Sequence, residues 1–120
     1  MRLLKLATAF LIWLALASPS LAGTVNGYTF ATPIASSFCT VSPVTSSALC
    51  TIPTGAVCAL ISPTGQAINW RDDTTAATAT AGTGGQALAA GATMWYCGQL
   101  ANLRMIQQSS AAVVSVSYYK

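Results

Sequence analysis

The chain has 120 residues, the length of one domain, and only 6% of them are charged. It contains no histidine, and its two carboxylate side chains belong to the neighbours Asp72 and Asp73. Because acid–base catalysis and metal binding depend on such groups, the composition argues against an enzyme and against a metal or cofactor site. The five basic residues form no stripe, so nothing predicts binding to nucleic acid.

Residues 1–22 have the order of a secretory signal peptide. Two basic residues open the segment, residues 6–17 (LATAFLIWLALA) are almost wholly apolar, and small residues precede a cut after Ala22. An uncleaved membrane anchor is the alternative, but so short a helix reaches about 18 Å across a hydrocarbon layer of roughly 30 Å. We therefore expect a secreted or periplasmic product that begins at Gly23 and meets the membrane only through its transient signal.

The remaining residues, 23–120, are predicted to form one domain with a net charge of +1. Residues 23–47 would form a lead segment and a hairpin arm, and residues 48–120 the core. Short β-prone segments recur about every ten residues between turn signals, without helical periodicity, and this pattern predicts an all-β sandwich or barrel. The predicted strands are 28–31, 37–41, 48–52, 56–62, 67–71, 86–89, 93–97, 103–107 and 112–119.

The four cysteines all follow the predicted cut, so an oxidising compartment should join them as disulfides. Of the three possible pairings we favour Cys39–Cys50 and Cys58–Cys97. The first would tie the two arms of a hairpin around residues 43–46, and the second would tie strands that are distant in sequence. A metal site or a redox pair is the alternative, but the chain has neither histidine nor a Cys-x-x-Cys motif.

The last segment is the clearest strand. Val114, Val116 and Tyr118 alternate with mostly polar side chains, as in an antiparallel strand with one buried face. The stretch 74–85 (TTAATATAGTGG) has no large side chain to bury, and we expect a loop there. Its β-branched half is a candidate for transient pairing as an edge strand.

Strand alternation also makes a prediction for Trp95. Trp95 and Cys97 share one face of segment 93–97, so a buried Cys97 would imply a buried Trp95. Cys58 and Leu60 share a face in the same way. A Cys58–Cys97 bridge would therefore bring Leu60 and Trp95 into one layer.

Residues 70–73 (Trp-Arg-Asp-Asp) form the one charged cluster of the predicted domain. In the structural interpretation a strand ends there, an aspartate forms an Asx-turn, and Arg71 pairs with an aspartate. In the functional interpretation the cluster is a weak cation or ligand site, although two carboxylates supply few of the six to eight oxygens that Ca²⁺ takes. The candidate ligand-binding residues are Trp70, Arg71, Asp72, Asp73, Trp95 and Tyr96.

Aromatic residues suggest a second kind of site. Trp70, Trp95, Tyr96, Tyr118 and Tyr119 are candidates for a platform that stacks on sugars. Aromatic side chains of small β domains are more often part of the core or its rim. A small carbohydrate-binding module is therefore the alternative to a structural protein.

From Leu49 onward, about 70 residues carry a recognisable pattern. It consists of Leu49-x-x-Ile52-Pro53-x-Gly55-Ala56-x-x-Ala59-x-Ile61, Trp70-Arg71-Asp72-Asp73-x-x-Ala76-x-Thr78-Ala79, Leu88-Ala89-Ala90-Gly91, Trp95-Tyr96, Leu100-x-x-Leu103-x-x-Ile106-Gln107 and Val114-Ser115-Val116-Ser117-Tyr118-Tyr119. The pattern resembles small β-sandwich proteins of tailed bacteriophages and prophages, which are described as virion structural or accessory proteins. This resemblance implies a jelly-roll-like fold and a role in assembly or adhesion, and it brings no activity with it.

The chain departs from that pattern in its export signal and its four cysteines. Neither device serves a particle that assembles in the reducing cytoplasm, so an exported relative made by a bacterium or a prophage fits better. The sequence thus predicts a disulfide-stabilised structural or adhesive module that works by non-covalent contacts. Its expected partner is a protein, another copy of itself, or a surface glycan.

Overall fold

The computed structural model describes residues 24–25, 28–29 and 31–120. Two short strands, β1 (Thr24–Val25) and β2 (Tyr28–Thr29), pair antiparallel with each other. Residues 31–120 form a separate compact unit. The predicted signal peptide, residues 1–22, lies outside the described residues. Within the described residues, no helix has the length and apolar character needed to span a membrane.

Residues 31–120 form two antiparallel four-stranded sheets, so the predicted all-β sandwich is confirmed. The strands are β3 (Cys39–Val41), β4 (Ser47–Ala48), β5 (Cys58–Thr64), β6 (Ile68–Arg71), β7 (Gln86–Leu88), β8 (Met94–Tyr96), β9 (Arg104–Gln107) and β10 (Val113–Tyr119). The first sheet has the order β3-β10-β5-β8, and the second has the order β4-β9-β6-β7. A single 3-10 turn, Leu100–Asn102, precedes β9.

The core lies between the two sheets and follows from the alternation of side chains along each strand. In β10 the predicted set is buried, with Val114 and Val116 fully enclosed and Tyr118 nearly so. Each such side chain contributes about 1.5–3 kcal/mol by leaving water. The other fully enclosed apolar side chains of this core are Ala59 and Ile61 from the first sheet and Ile68, Leu103 and Met105 from the side of the second.

Strand β5 continues to Thr64, two residues beyond the end of the predicted strand 56–62. Pro63 lies within it, although proline has no N–H group and is rare in central strands. The Pro63 carbonyl accepts a hydrogen bond from the Gly91 amide (2.8 Å), before β8 begins. The backbone nitrogen and oxygen of one strand residue point to the same side of the strand. The nitrogen of Pro63 therefore faces β8 as well, at a level before the first residue of β8, where no partner is present. The missing N–H therefore costs the ladder nothing.

Both disulfides join the cysteines that the sequence favoured, Cys39–Cys50 and Cys58–Cys97. The expected hairpin around the first bridge is wrong, because β3 belongs to the first sheet and β4 to the second. The chain changes sheets at Pro43, whose carbonyl accepts the amide N–H of Gln107 in β9 (2.9 Å). The first bridge therefore ties the edge strand of one sheet to the segment that follows the edge strand of the other.

The second bridge stays within the first sheet. The pairing of Ala59 with Tyr96 places Cys58 and Cys97 opposite each other, with Cα atoms 4.1 Å apart. This bridge fastens the edge strand β8 to the central strand β5.

Candidate functional site

The outer side of the first sheet is exposed. Trp95 lies directly opposite Leu60, and Leu60 lies opposite Ser117 in the next strand. Trp95 is 48% exposed, and Phe38, one residue before β3, is 65% exposed. Because Cys39 packs against the core, its neighbour Phe38 points to the outer side. We name this surface the open face; its residues are Phe38, Thr40, Leu60, Trp95, Ser115, Ser117 and Tyr119.

The position of Trp95 agrees with the predicted layer and shows which side of the sheet that layer occupies. Leu60 and Trp95 do lie in one layer with the Cys58–Cys97 bridge, but that layer is outside the sandwich and Cys97 is exposed. Met94 and Tyr96, the other face of β8, pack against the core instead. The sequence could not choose between the two faces, because the partner strand β5 carries apolar side chains on both of them.

Trp95 has a defined environment despite its exposure. Its ring meets the ring of Tyr119 edge to face, with centroids 4.5 Å apart and an interplanar angle of 61°. Such a contact contributes about 0.5–1.5 kcal/mol beyond the area that it buries. The indole is therefore held in one arrangement on the open face, with about half of its surface left to solvent.

The outer side of the second sheet is covered by residues 74–85, which we name the Gly/Thr loop. Asn69 on this side is completely buried. Its Nδ2 atom donates to the carbonyl oxygens of Thr78 (2.8 Å) and Thr80 (3.1 Å). Its Oδ1 atom accepts a hydrogen bond from Gln108 Nε2 (2.7 Å). One buried amide thus fastens the loop to the sheet, and each of its polar atoms has a partner.

The Gly/Thr loop is a loop, as predicted, and none of its residues lies in a strand. The Ala77 amide donates to Ser46 Oγ (3.0 Å), and Ala77 is buried. The Thr78 amide donates to the Gly84 carbonyl (2.9 Å), which folds the loop back on itself. A Cβ atom on Gly84 would lie 1.9 Å from the Thr78 oxygen, so this turn requires glycine.

Five of the six candidate ligand-binding residues meet at the β7–β8 edge of the sandwich. Four of them line a cleft of about 210 Å³ together with Gly85 and Gln86. Tyr96 reaches the cleft from the first sheet, with its ring centroid 6.0 Å from that of Trp70 and its hydroxyl donating to Asp72 Oδ2 (3.2 Å). Trp95 lies apart, on the open face. We name this surface the edge cleft; its lining is Trp70, Arg71, Asp72, Asp73, Gly85 and Gln86.

Asp73 is paired within the edge cleft. Arg71 donates to both of its carboxylate oxygens, and the Thr75 amide donates to Oδ1 (3.1 Å). The hydrogen bond from Arg71 is the main reason that the pKa of Asp73 falls to about 2. Asp73 thus stays ionised in neutral and mildly acidic solution and serves as the partner of Arg71. This is the ion pair and Asx-turn that the structural interpretation predicted.

The rest of the edge cleft offers hydrogen-bonding groups. The pKa of Tyr96 is raised, first by burial and then by the nearby Asp72 carboxylate, so its hydroxyl stays protonated and keeps donating. Gln86 and Trp70, which also packs against the core, complete the lining. Donors, acceptors and an aromatic wall together suit a small ligand that carries hydroxyl groups.

Several residues of these surfaces escaped sequence reasoning. Gly85 and Gln86 reach the edge cleft only because β7 pairs with β6. Gly85 carried no signal beyond the prediction of a loop. It has φ +140°, and a Cβ atom there would lie 2.6 Å from the Trp70 oxygen. Phe38 and Asn69 carried no local signal for their roles.

No protein-family model matches the chain, and neither a curated protein nor a solved structure matches it significantly. The resemblance to phage β-sandwich proteins therefore stays a prediction. The chain's own geometry defines two candidate sites, the open face and the edge cleft.

Proposed function

We propose that this chain is an exported, disulfide-stabilised interaction module that binds its partner through non-covalent contacts of the open face. The observation that carries the proposal is the exposure of Trp95 (48%) and Phe38 (65%) on one sheet face. Among the described residues, no charged side chain lies on that face. Trp95 and Phe38 stand at the two edges of the face with Leu60 between them, and several large apolar side chains that share one exposed face are typical of an interaction site.

The energetics agree with this role. A tryptophan side chain buries about 150–250 Å² when it is fully enclosed, and apolar burial contributes about 25 cal/mol per Å². About half of the Trp95 surface is still exposed. Covering it with a partner would therefore contribute about 2 kcal/mol, which is the scale of an interface anchor.

Export is supported by the two disulfides and by the pattern of residues 1–22. Disulfides persist in oxidising compartments and are rare in the cytosol. A structural or adhesive role at a surface is supported by the resemblance to phage and prophage β-sandwich proteins. On this proposal the molecule is a rigid body that presents a binding face outside the cytoplasm.

The test uses the protein in the cells that produce and export it. The amounts that sediment with isolated cell envelopes and that stay free would be measured for the natural chain and for a Phe38→Ser/Trp95→Ser variant. Val44→Ser is the matched control, because Val44 is 66% exposed but lies between β3 and β4, outside the open face. We expect the natural chain and the control to be recovered with a partner, either on envelopes or as a species larger than a monomer, and the double variant to be recovered free and monomeric.

Two results would contradict the proposal. One is an exported protein that stays wholly free and monomeric. The other is envelope binding that the open-face variant and the control retain equally.

A second candidate function is carbohydrate binding in the edge cleft. It is favoured by the arrangement there of an aromatic wall, an arginine, two carboxylates and an amide around about 210 Å³. Sugars present both apolar C–H faces and hydroxyl groups, so they match aromatic and hydrogen-bonding groups placed side by side. Asp72 and Gln86 would contact the hydroxyl groups, and Trp70 the ring.

An array of oligosaccharides tests this second candidate. We expect binding that Asp72→Asn and Gln86→Ala weaken and that Trp95→Ala leaves unchanged, since Trp95 lies outside the edge cleft. Binding lost only in Trp95→Ala would move the sugar site to the open face. An array without signal for the folded natural protein would remove the candidate.

A further inference from the structure

We infer that the partner of the open face is a second copy of this chain, which pairs face to face around a two-fold axis. This inference rests on the proposed function, because it names the partner class for the surface proposed there. The argument uses the charge, the composition and the size of the open face.

Charge is the first consideration. The charged side chains of residues 31–120 are Arg71, Asp72, Asp73, Arg104 and Lys120. The first three belong to the edge cleft, Arg104 lies opposite Arg71 in the second sheet, and Lys120 follows the end of β10. An acidic or basic partner would have to dehydrate its charges against a face that offers no counter-charge, which is costly. A second open face brings no charge to be dehydrated.

Composition points the same way. The row Ser117, Leu60 and Trp95 crosses three adjacent strands, with Phe38 beyond it at the opposite edge. Apolar and aromatic side chains therefore stand at the two edges and in the middle, and hydroxyl side chains stand between them. In a two-fold pairing residue i of one copy contacts residue j of the other and the reverse, so with the axis along the strands the apolar Phe38 edge of each copy meets the apolar Trp95 edge of its partner. The net charge of only +1 on residues 31–120 adds little repulsion between copies.

The size of the open face sets the expected strength. The sheet has four strands, and its longest have seven residues. At about 4.8 Å between strands and 3.3 Å per residue, the face covers at most about 440 Å² per copy. Stable interfaces bury about 1,200–2,000 Å² in total, so this pairing belongs to the small class. We expect a reversible dimer whose population depends on concentration, with a dissociation constant in the micromolar range or weaker.

The experiment measures the mass of the exported, processed protein by sedimentation from about 1 µM to about 1 mM. We expect the average mass to rise toward that of a dimer and no further. Trp95→Lys and Phe38→Lys each place like charges in the paired faces and should weaken association about tenfold or more. Val44→Lys adds the same charge outside the open face and should leave association unchanged.

Each other result overturns the inference. A natural protein that stays monomeric throughout excludes a second copy as the partner. Association that persists in both open-face variants assigns the contact to another surface, and growth beyond a dimer excludes closed two-fold pairing. If the protein is monomeric but its envelope or glycan binding depends on Trp95, the proposed function stands and only the choice of partner fails.

Discussion

The two sheets of the sandwich differ in what lies on their outer sides. The outer side of the second sheet is closed by the Gly/Thr loop, which Asn69 holds through its buried side-chain amide. The outer side of the first sheet is bare and displays Trp95 and Phe38 to solvent. Within the described residues, the chain thus covers one outer side with its own backbone and leaves the other open to solvent.

The two sides are also reinforced differently. Hydrogen bonds from one amide fix the covered side. A covalent bridge, Cys58–Cys97, fixes the edge strand of the bare side. A face that has no cover of its own cannot rely on packing to stay flat, so a cross-link is the effective way to keep its edge strand in register.

The largest expected effect comes from removing the bridge of the bare side. Replacing Cys58 and Cys97 with alanine opens a loop of 39 residues and should lower the free energy of unfolding by about 4 kcal/mol. The matched pair Cys39→Ala/Cys50→Ala opens a loop of 11 residues and should cost about 3 kcal/mol. Urea unfolding under non-reducing conditions measures the free energy of unfolding of both double variants and of the natural chain. A smaller loss for the 58/97 pair would contradict the chain-entropy explanation.

The next largest loss of stability is expected when Asn69, which fixes the Gly/Thr loop to the second sheet, is replaced. Asn69→Ala leaves two carbonyl oxygens and the Gln108 amide without their partner, which should cost about 2–3 kcal/mol. The same variant should expose the Gly/Thr loop to proteases at low urea concentrations. Ser115→Ala, on the bare side, is the control and should change stability by less than about 0.5 kcal/mol. Equal protease resistance of Asn69→Ala and the natural chain would show that the loop does not depend on Asn69.

A smaller effect is expected on the inner side of the first sheet, where the hydroxyl of Tyr118 donates to the Cys50 carbonyl (2.9 Å). Tyr118→Phe removes this bond and should cost about 1 kcal/mol at neutral pH. Burial raises the pKa of Tyr118, so the folded state keeps the proton longer than the unfolded state does. Its contribution is therefore complete below about pH 10 and is lost as the pH rises through the raised value.

Urea unfolding at pH 7 and near pH 11 measures this effect. The natural chain should lose stability between the two conditions, and Tyr118→Phe should lose less. Tyr119→Phe, which removes a hydroxyl from the open face, is the control and should follow the natural chain. An equal loss in all three proteins would assign the alkaline decline to other groups.

The smallest effect on stability is expected at Phe38. Its side chain is 65% exposed, so Phe38→Ser should change the free energy of unfolding by less than about 0.5 kcal/mol. A matched substitution toward the core, Ile34→Ser, should cost clearly more, because Ile34 packs against the core cluster. A large loss in Phe38→Ser would mean that the residue supports the fold rather than an interaction.

Local alternation predicted much of the fold. The buried set of β10, Val114, Val116 and Tyr118, follows directly from its period of two. The side of Trp95 did not follow, since Leu60 and Ile61 are equally apolar neighbours in β5 and only the register with β10 decides which one faces inward. The end predicted for this strand, residue 62, was also wrong, because the missing N–H of Pro63 meets a gap in the ladder that only the pairing reveals.

The edge cleft and the covered side of the second sheet were predictable to different degrees. Residues 70–73 are contiguous, so the sequence brought most of the edge cleft together by itself. The covered side depends on Asn69, whose partners lie 9, 11 and 39 residues away in the chain. Contacts at such separations are set by the tertiary fold, and no local propensity encodes them.

The anchor of the Gly/Thr loop has a consequence for how this molecule can change. Asn69 grips main-chain oxygens, which every amino acid possesses, while the side chains of Thr78 and Thr80 point to solvent. The backbone path of the loop therefore depends little on which amino acids occupy most of its positions. Substitutions on the exposed side of this loop, or a short foreign epitope placed there, should leave the sheet beneath it unchanged.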